Sequence, residues 1–408
     1  MLAQNIIRVK DLTGQKQSIR LRSATTMLTI LTLFCLFLSS YVYLRAVLPL
    51  PCSKGIKVLL GILLVIIAFK FHLLYLWEGK SLFSPNLPSW VVLPGVWLHT
   101  GLIFYCFCLL LLDIFYILIR LPAWACKRKM TFPSGRIRNL VNLALLVFLL
   151  GSVGYGVYRA VQLPEVRYMD ISLPKLPARN KPLRLAVLSD LHADSTKSAA
   201  FFREIVQRTN ALKPDLILIC GDFVDGGVER LAPVLAPLAH LQSGYGTYAV
   251  AGNHDYFSGY GDWKAYLQGI GIRFLDNEHI LTCGGQLVLA GVTDPAARRA
   301  GYTLPSAVRA LENAPEHLPR ILLAHQPKLF PYAVLCGVDL QISGHTHGGM
   351  APGLRQLVAL FNGGYVSGLY QHGDARLYVS NGTSLWTGMA IRLNTPAEIT
   401  LITLRGES

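Results

Sequence analysis

Acidic residues are nearly missing from the first 160 positions of this 408-residue chain, where three aspartates and glutamates stand against 17 lysines and arginines. Beyond that point 20 acids meet 21 bases, so the net charge of +15 belongs almost wholly to the first part. Basic charge flanking apolar runs fits the ends of membrane spans. The balanced second part lacks the basic footprint of a protein that grips a phosphate backbone, so nucleic acid is not expected as a partner. Paired cysteines are also missing. None of the eight cysteines forms a C-x-x-C, and only Cys220, Cys283 and Cys336 fall in the second part. A paired-thiolate zinc site and a disulfide framework are thereby excluded, and the thiols read as ordinary buried groups. No internal repeat and no low-complexity tract is present.

What the first part does have is apolar length. Thr26–Leu44, Ile56–Trp77, Val91–Ile119 and Leu140–Tyr158 are each long enough to cross a bilayer. No small-residue cleavage site separates the first from the second, so it is not a removable leader. Residues 1–160 are expected to be a membrane region, 161–182 a proline-dotted linker and 183–408 a globular domain. The lipid bilayer is the first expected partner. Arg8, Lys10, Lys16, Arg20 and Arg22 argue for an inside N-terminus. Arg120, Lys127, Arg128, Lys129, Arg136 and Arg138 between the third and fourth spans argue the other way. This denser cluster favours a catalytic half outside the cytoplasm. Asp113 lies within a span, where a carboxylate is either functional, or held in a polar contact between helices, or paired near Arg120.

From Leu183 onward, short apolar runs alternate with helical patterns. The runs are Leu183–Asp190, Asp215–Asp222, Thr247–Asp255, Gln286–Asp294, Arg320–Pro327, Val338–His347, Ala375–Gly382 and Ala397–Leu404. Continuous apolar runs predict strands buried on both faces, with helices outside. One pattern repeats: strand after strand ends in a residue that can bind a metal. Asp190 and His192 follow the first, Asp222 the second, Asn253, His254 and Asp255 the third. His325 follows a later one, and His345 and His347 stand in Ser343–Gly349 (SGHTHGG). Five of the nine histidines after residue 160 lie in these motifs. Ligands in open α/β sheets bind beyond the carboxyl ends of the strands, so distant motifs can converge there. Imidazole, carboxylate and amide donors without thiolate suit Mn, Fe, Zn or similar ions. Seven donors are too many for one ion, and a bridging carboxylate allows two.

Asp190-x-His192, Gly221-Asp222-x-x-Asp225, Gly252-Asn253-His254-Asp255, His325 and Gly344-His345-x-His347 resemble, in order, the five blocks of the calcineurin-like metallophosphoesterases, and in wording their membrane-attached branch. The resemblance covers about Leu183 to the C-terminus and departs at Met350, where many relatives carry Gln. It implies a four-layer αββα sandwich with a di-metal site at the strand ends. It further implies Asp190, His192 and His347 on one divalent ion, Asn253, His325 and His345 on a second, and Asp222 bridging. His254 would be catalytic, as acid or charge stabiliser, with Asp225 and Asp255 orienting their neighbours.

The expected activity is hydrolysis of a phosphodiester or pyrophosphate bond in a phosphorylated small-molecule or lipid substrate. Some relatives cleave lipid-linked substrates such as UDP-diacylglucosamine. The rival readings are a nucleotide phosphodiesterase of the same superfamily, and a transporter or receptor whose globular half only binds a phosphorylated ligand. The segment Ala351–Asp374, rich in Leu, Val, Phe, Tyr and Gly, reads as core filler around an irregular crossover, with a lipid-contacting loop as the second option.

Overall fold

The computed structural model describes residues 28–78, 85–125, 134–177 and 181–407. The basic N-terminal tail, the expected first-span start at Thr26, and Lys127, Arg128 and Lys129 lie outside the described residues. The chain divides into two compact units, Met1–Leu82 with Trp97–Val153, and Phe83–Val96 with Gly154–Ser408.

The first unit is built from apolar helices. Leu28–Val47, Ser89–Pro122 and Gly135–Ala160 are long and apolar enough to span a membrane, and the last two run on into the second unit. Lys54–Ala68 and Lys70–Trp77 pass the same test only together and meet at a 65° bend, where the sequence predicts one unbroken span. The bend frees carbonyls, and apolar surroundings require that they find partners. His99 Nδ1 donates to the Ile67 carbonyl at 2.8 Å and Cys35 Sγ to that of Ala68 at 3.0 Å. Cys35, Leu38, Val42, Leu102, Tyr105 and Leu109 pack inside, while Leu33, Leu59, Phe115 and Phe148 are exposed. Apolar side chains all around a helix suit a lipid environment. The Asp113 carboxylate is not free. Arg45 Nε donates to it at 2.8 and 3.0 Å and Tyr41 Oη at 2.7 Å. Asp113 is therefore held between helices, by Arg45 and Tyr41.

The second unit carries twelve strands in chain order: β1 Glu165–Pro177, β2 Leu183–Leu188, β3 Leu216–Cys220, β4 Thr247–Val250, β5 Ile272–Phe274, β6 Glu278–Thr282, β7 Leu287–Gly291, β8 Arg320–Leu323, β9 Leu340–Ser343, β10 Gly368–His372, β11 Ala375–Val379 and β12 Glu398–Glu407. They form two six-stranded mixed sheets, ordered β1-β12-β2-β3-β4-β5 and β10-β11-β9-β8-β7-β6. Leu185, Val187, Leu216 and Leu218 of the first sheet pack with Leu289, Ile321, Leu340 and Ile342 of the second. The opposite face of the first sheet packs on Phe202, Ile205, Leu231 and Trp263, and that of the second on Ala307, Ala310 and Ala333. The order is helix, sheet, sheet, helix, the expected four-layer sandwich, and it explains why β2, β3 and β8 are apolar on both faces.

Two expectations need correction. The proline-dotted linker is largely β1, parallel to β12 from Glu165↔Glu398 to Leu404's partner Ile171 and beyond. It is an edge strand, where the missing N–H of a proline such as Pro174 is tolerated. The segment after SGHTHGG does not fill the core throughout. It forms a helix, Leu354–Phe361, with no buried residue, and Leu357, Leu360 and Phe361 stand exposed.

Candidate metal centre

Strands β2, β3 and β4 are mutually parallel, as are β7, β8, β9 and β11. Their carboxyl ends therefore deliver the loops with Asp190, His192, Asp222, Asn253, His325, His345 and His347 to one edge. Among the described residues three groups have donors close enough to hold a metal: Asp190, His192 and His347; Asp222, His325 and His345; and His192, Asp225 and His254, of which the last is joined by hydrogen bonds from both imidazoles to Asp225. Asp222 lies between the first two. Its Oδ2 stands 3.6 Å from His192 Nε2 and 3.2 Å from His325 Nε2. Asn253 Oδ1 also faces His325 Nε2 at 3.2 Å.

These residues are held in costly conformations. Asp190, His192, Asp222, His345 and His347 all have positive φ, between 43° and 72°. Such backbone costs about 1–3 kcal/mol per residue and persists where surrounding structure enforces it, typically at functional sites. The enforcing contacts are visible. The His345 amide donates to Asp190 Oδ1 at 3.1 Å, and the Asp190 amide to the Gly221 carbonyl at 2.9 Å. Asp255, at 2% exposure, accepts from the amides of Asp222, Phe223 and Gly252 at 2.8–3.0 Å and so clamps two site loops together. Two glycines allow the closeness. A Cβ at Gly344 would collide with Ser189 Oγ and Asp190 Oδ2, and one at Gly252 with the Asp222 carboxylate. Gly344→Ala is expected to lower stability by about 1–3 kcal/mol through overpacking and to remove most activity. A thermal melt of the full chain in detergent beside an activity assay checks both.

The donor set fits cations. His192 Nδ1 donates to Asp225 at 3.1 Å, which turns the lone pair of Nε2 inward. There it meets His347 Nε2 at 3.2 Å, while His347 Nδ1 is buried without a partner. His325 Nδ1 lies 2.7 Å from the Cys220 carbonyl, so its Nε2 too faces acceptors alone. Imidazole and carboxylate donors crowded this closely suit a positive ion. Burial, reinforced by His325, pushes the His345 imidazole down to about 3, so it is neutral, as a ligand must be. Burial and Asp222 together push Asp255 up to about 7.

His254 differs from the others. Its Nδ1 donates to Asp225 Oδ1 at 2.5 Å and its amide to Asp222 Oδ1 at 2.8 Å. Burial alone would lower this imidazole, but the carboxylates of Asp222 and Asp225 push it up to about 9. Its ring is partly exposed and stands 5.7 Å from that of Trp386.

The sequence patterns missed Ser189, whose Oγ donates to Asp190 Oδ2 at 2.5 Å. They also missed Trp386 and Arg392. Arg392, at 1% exposure, donates to the carbonyls of Asn381, Gly382, Ser384 and Thr395 and ties down the segment that borders the cluster. An arginine among apolar neighbours in IRLNTP was the available signal.

The model of the calcineurin-like phosphoesterases matches residues 183–349. A metallophosphoesterase of Helicobacter pylori is 36% identical over 68% of this chain and 74% of its own length. One of Bacillus subtilis, YkoQ, is 33% identical over 64% of this chain and 97% of its own. The "Transmembrane protein with metallophosphoesterase domain" of Danio rerio is 35% identical over 67% of this chain and 64% of its own. With two mixed sheets, clustered His and Asp donors at the strand ends and relatives of this kind, the chain belongs to the calcineurin-like metallophosphoesterases, metal-dependent hydrolases of phosphoester bonds.

Proposed function

We propose that the protein is a membrane-embedded two-metal hydrolase that cleaves a phosphodiester or pyrophosphate bond in a lipid-linked substrate. The position of Asp222, its carboxylate within 3.6 Å of histidines from both triads, carries the reading. Asp190, His192 and His347 would hold one divalent ion, Asn253, His325 and His345 the other, and Asp222 both. When bound, such ions supply Lewis-acid polarisation of phosphoryl oxygens and activation of water. The chain's own groups do the rest. Asp225 fixes the rings of His192 and His254, so that their Nε2 atoms point to the reacting centre. Asp255 holds the loops of Asp222 and Asn253 at a constant separation. His254 hands a proton from Nε2 to the departing oxygen. The helix Leu354–Phe361, which follows the His345 loop in the chain, offers its exposed Leu357, Leu360 and Phe361 to acyl chains.

Three helices long and apolar enough to cross a membrane, with the bent pair as a fourth candidate, support the lipid linkage. The transporter reading loses its support, because Asp113 is occupied by Arg45 and Tyr41. The basic loop between the third and fourth spans favours a catalytic half outside the cytoplasm, and a reporter fused to the C-terminus tests that side.

The full chain in detergent, treated with chelator, is expected to lose hydrolysis of bis-p-nitrophenyl phosphate and to regain it with Mn²⁺. A diester rate above that for p-nitrophenyl phosphate is expected. Chelator-resistant cleavage, or strict preference for the monoester, counts against the proposal.

A further inference from the structure

A cavity of about 360 Å³ lies in the second unit, lined in half by hydroxyl-bearing residues: Ser89, Ser195, Thr196, Ser198, Ser384 and Thr387. That volume falls within the range of small-molecule sites. Ser384 is 2% exposed, and its Oγ is buried without a hydrogen-bond partner. A buried hydroxyl left unpaired costs about 1–3 kcal/mol, which a ligand can recover. Beside it Lys197 Nζ donates to the Leu385 carbonyl at 3.1 Å and Asp194 at 3.3 Å. A lysine carries three donors, so one remains for a ligand oxygen.

The cavity is separate from the metal cluster but shares its walls. The loop of Ser195 and Lys197 leaves directly from His192. The Ser384 amide donates to the Asp190 carbonyl at 3.1 Å. Two residues on, the Trp386 ring meets that of His254. A phosphoester at the cluster would thus send one of its ester arms toward this cavity. The cavity also includes Ser89, the first residue of one candidate span, and Ala160, the last of another. Span ends lie at the depth of lipid head groups.

The lining selects the chemistry. A nucleobase would call for aromatic faces and amide edges, and a quaternary ammonium for an aromatic cage. Among the described residues Phe201 is the lone aromatic in the lining, and no amide side chain lines the cavity. We propose that this cavity, with its unpaired Ser384 hydroxyl, is the subsite for a hydroxyl-rich, uncharged head group, glycerol or a polyhydroxy ring, esterified to the phosphate that is cleaved. This rests on the reading of the cluster as a phosphodiesterase centre. The same head group can arrive on a bilayer lipid or on a soluble diester.

The test uses the full chain in detergent. Glycerophosphoglycerol and glycerophosphoinositol are titrated calorimetrically into chelated protein, so that binding is read without turnover. Wild type is compared with Ser384→Ala, which removes the hydroxyl, and with Val161→Phe, which fills the cavity from a residue 40% exposed. Hydrolysis of bis-p-nitrophenyl phosphate with Mn²⁺ is read separately. The expected result is binding of at least one ligand by wild type, weakened at least about tenfold in both variants, while hydrolysis of the nitrophenyl diester stays Mn²⁺-dependent. Absence of binding in wild type, or equal binding in both variants, overturns the subsite. Retained, variant-sensitive binding without nitrophenyl hydrolysis overturns the phosphodiesterase reading and leaves the subsite standing. Mn²⁺-dependent cleavage of phosphatidylglycerol in nanodiscs, matched against glycerophosphoglycerol, separates the two sources. Faster cleavage of the lipid assigns the bilayer, and faster cleavage of the free diester assigns the soluble pool.

Discussion

Asp222→Asn is expected to cut turnover of bis-p-nitrophenyl phosphate by at least about two orders of magnitude, the loss typical when one fixed charge is withdrawn from a developing transition state. The substitution keeps shape. Oδ1 can still accept from the His254 amide, which it does at 2.8 Å. What disappears is the charge at Oδ2, between His192 Nε2 and His325 Nε2. Burial would raise this carboxyl, but His325 and His254 hold it well below the usual carboxylate range, so the native group is an anion. A neutral amide cannot serve two cations. On the proposed two-metal centre, metal content by mass spectrometry is therefore expected to fall from two ions per chain to one or none, while the thermal melt keeps a single cooperative transition. Near-normal turnover with two ions retained would remove Asp222 from the bridging role.

Much of this centre was legible in the sequence because its chemistry is concentrated at strand ends. Asp190, Asp222, Asn253, His325 and His345 each follow an apolar run by a few residues, and parallel pairing of those runs brings them to one edge. Periodicity could not reveal what depends on pairing partners. β1 looks like a linker because Pro164, Pro174 and Pro177 punctuate it, and only its pairing with β12 makes it a strand. The helix Leu354–Phe361 has the apolar content of a core segment, and burial cannot be read from content alone. Arg392 and Trp386 escaped notice because their importance lies in carbonyls and rings contributed by the tertiary fold. In the first unit, the 65° bend follows Ala68 without a proline or glycine at the break. Its carbonyls are met by His99 and Cys35 from other helices, a compensation no local signal announces.

His254→Gln is expected to have an effect that depends on what leaves. The Nδ1 atom of His254 is committed to Asp225, and Asp225 also holds His192. The imidazole is thereby oriented with Nε2 free, and its ring is the partly exposed one among the site histidines that contact Asp225. It groups with His192 and Asp225, not with the triad of Asp222 or that of Asp190. A group so placed can donate a proton to an oxygen that departs with charge. Nitrophenolate needs little such help, and phenolate needs much more. The loss for methyl p-nitrophenyl phosphate is therefore expected to stay within about tenfold, while that for methyl phenyl phosphate reaches about 10²–10⁴-fold, the usual worth of general acid catalysis. Metal content should match that of wild type, since His192 keeps its own hydrogen bond to Asp225. An equal loss on the two esters would assign His254 to steadying the charge on phosphate and would take the proton transfer away from it. Loss of metal from the variant would instead mean that Asp225, freed of one partner, no longer holds His192 in place.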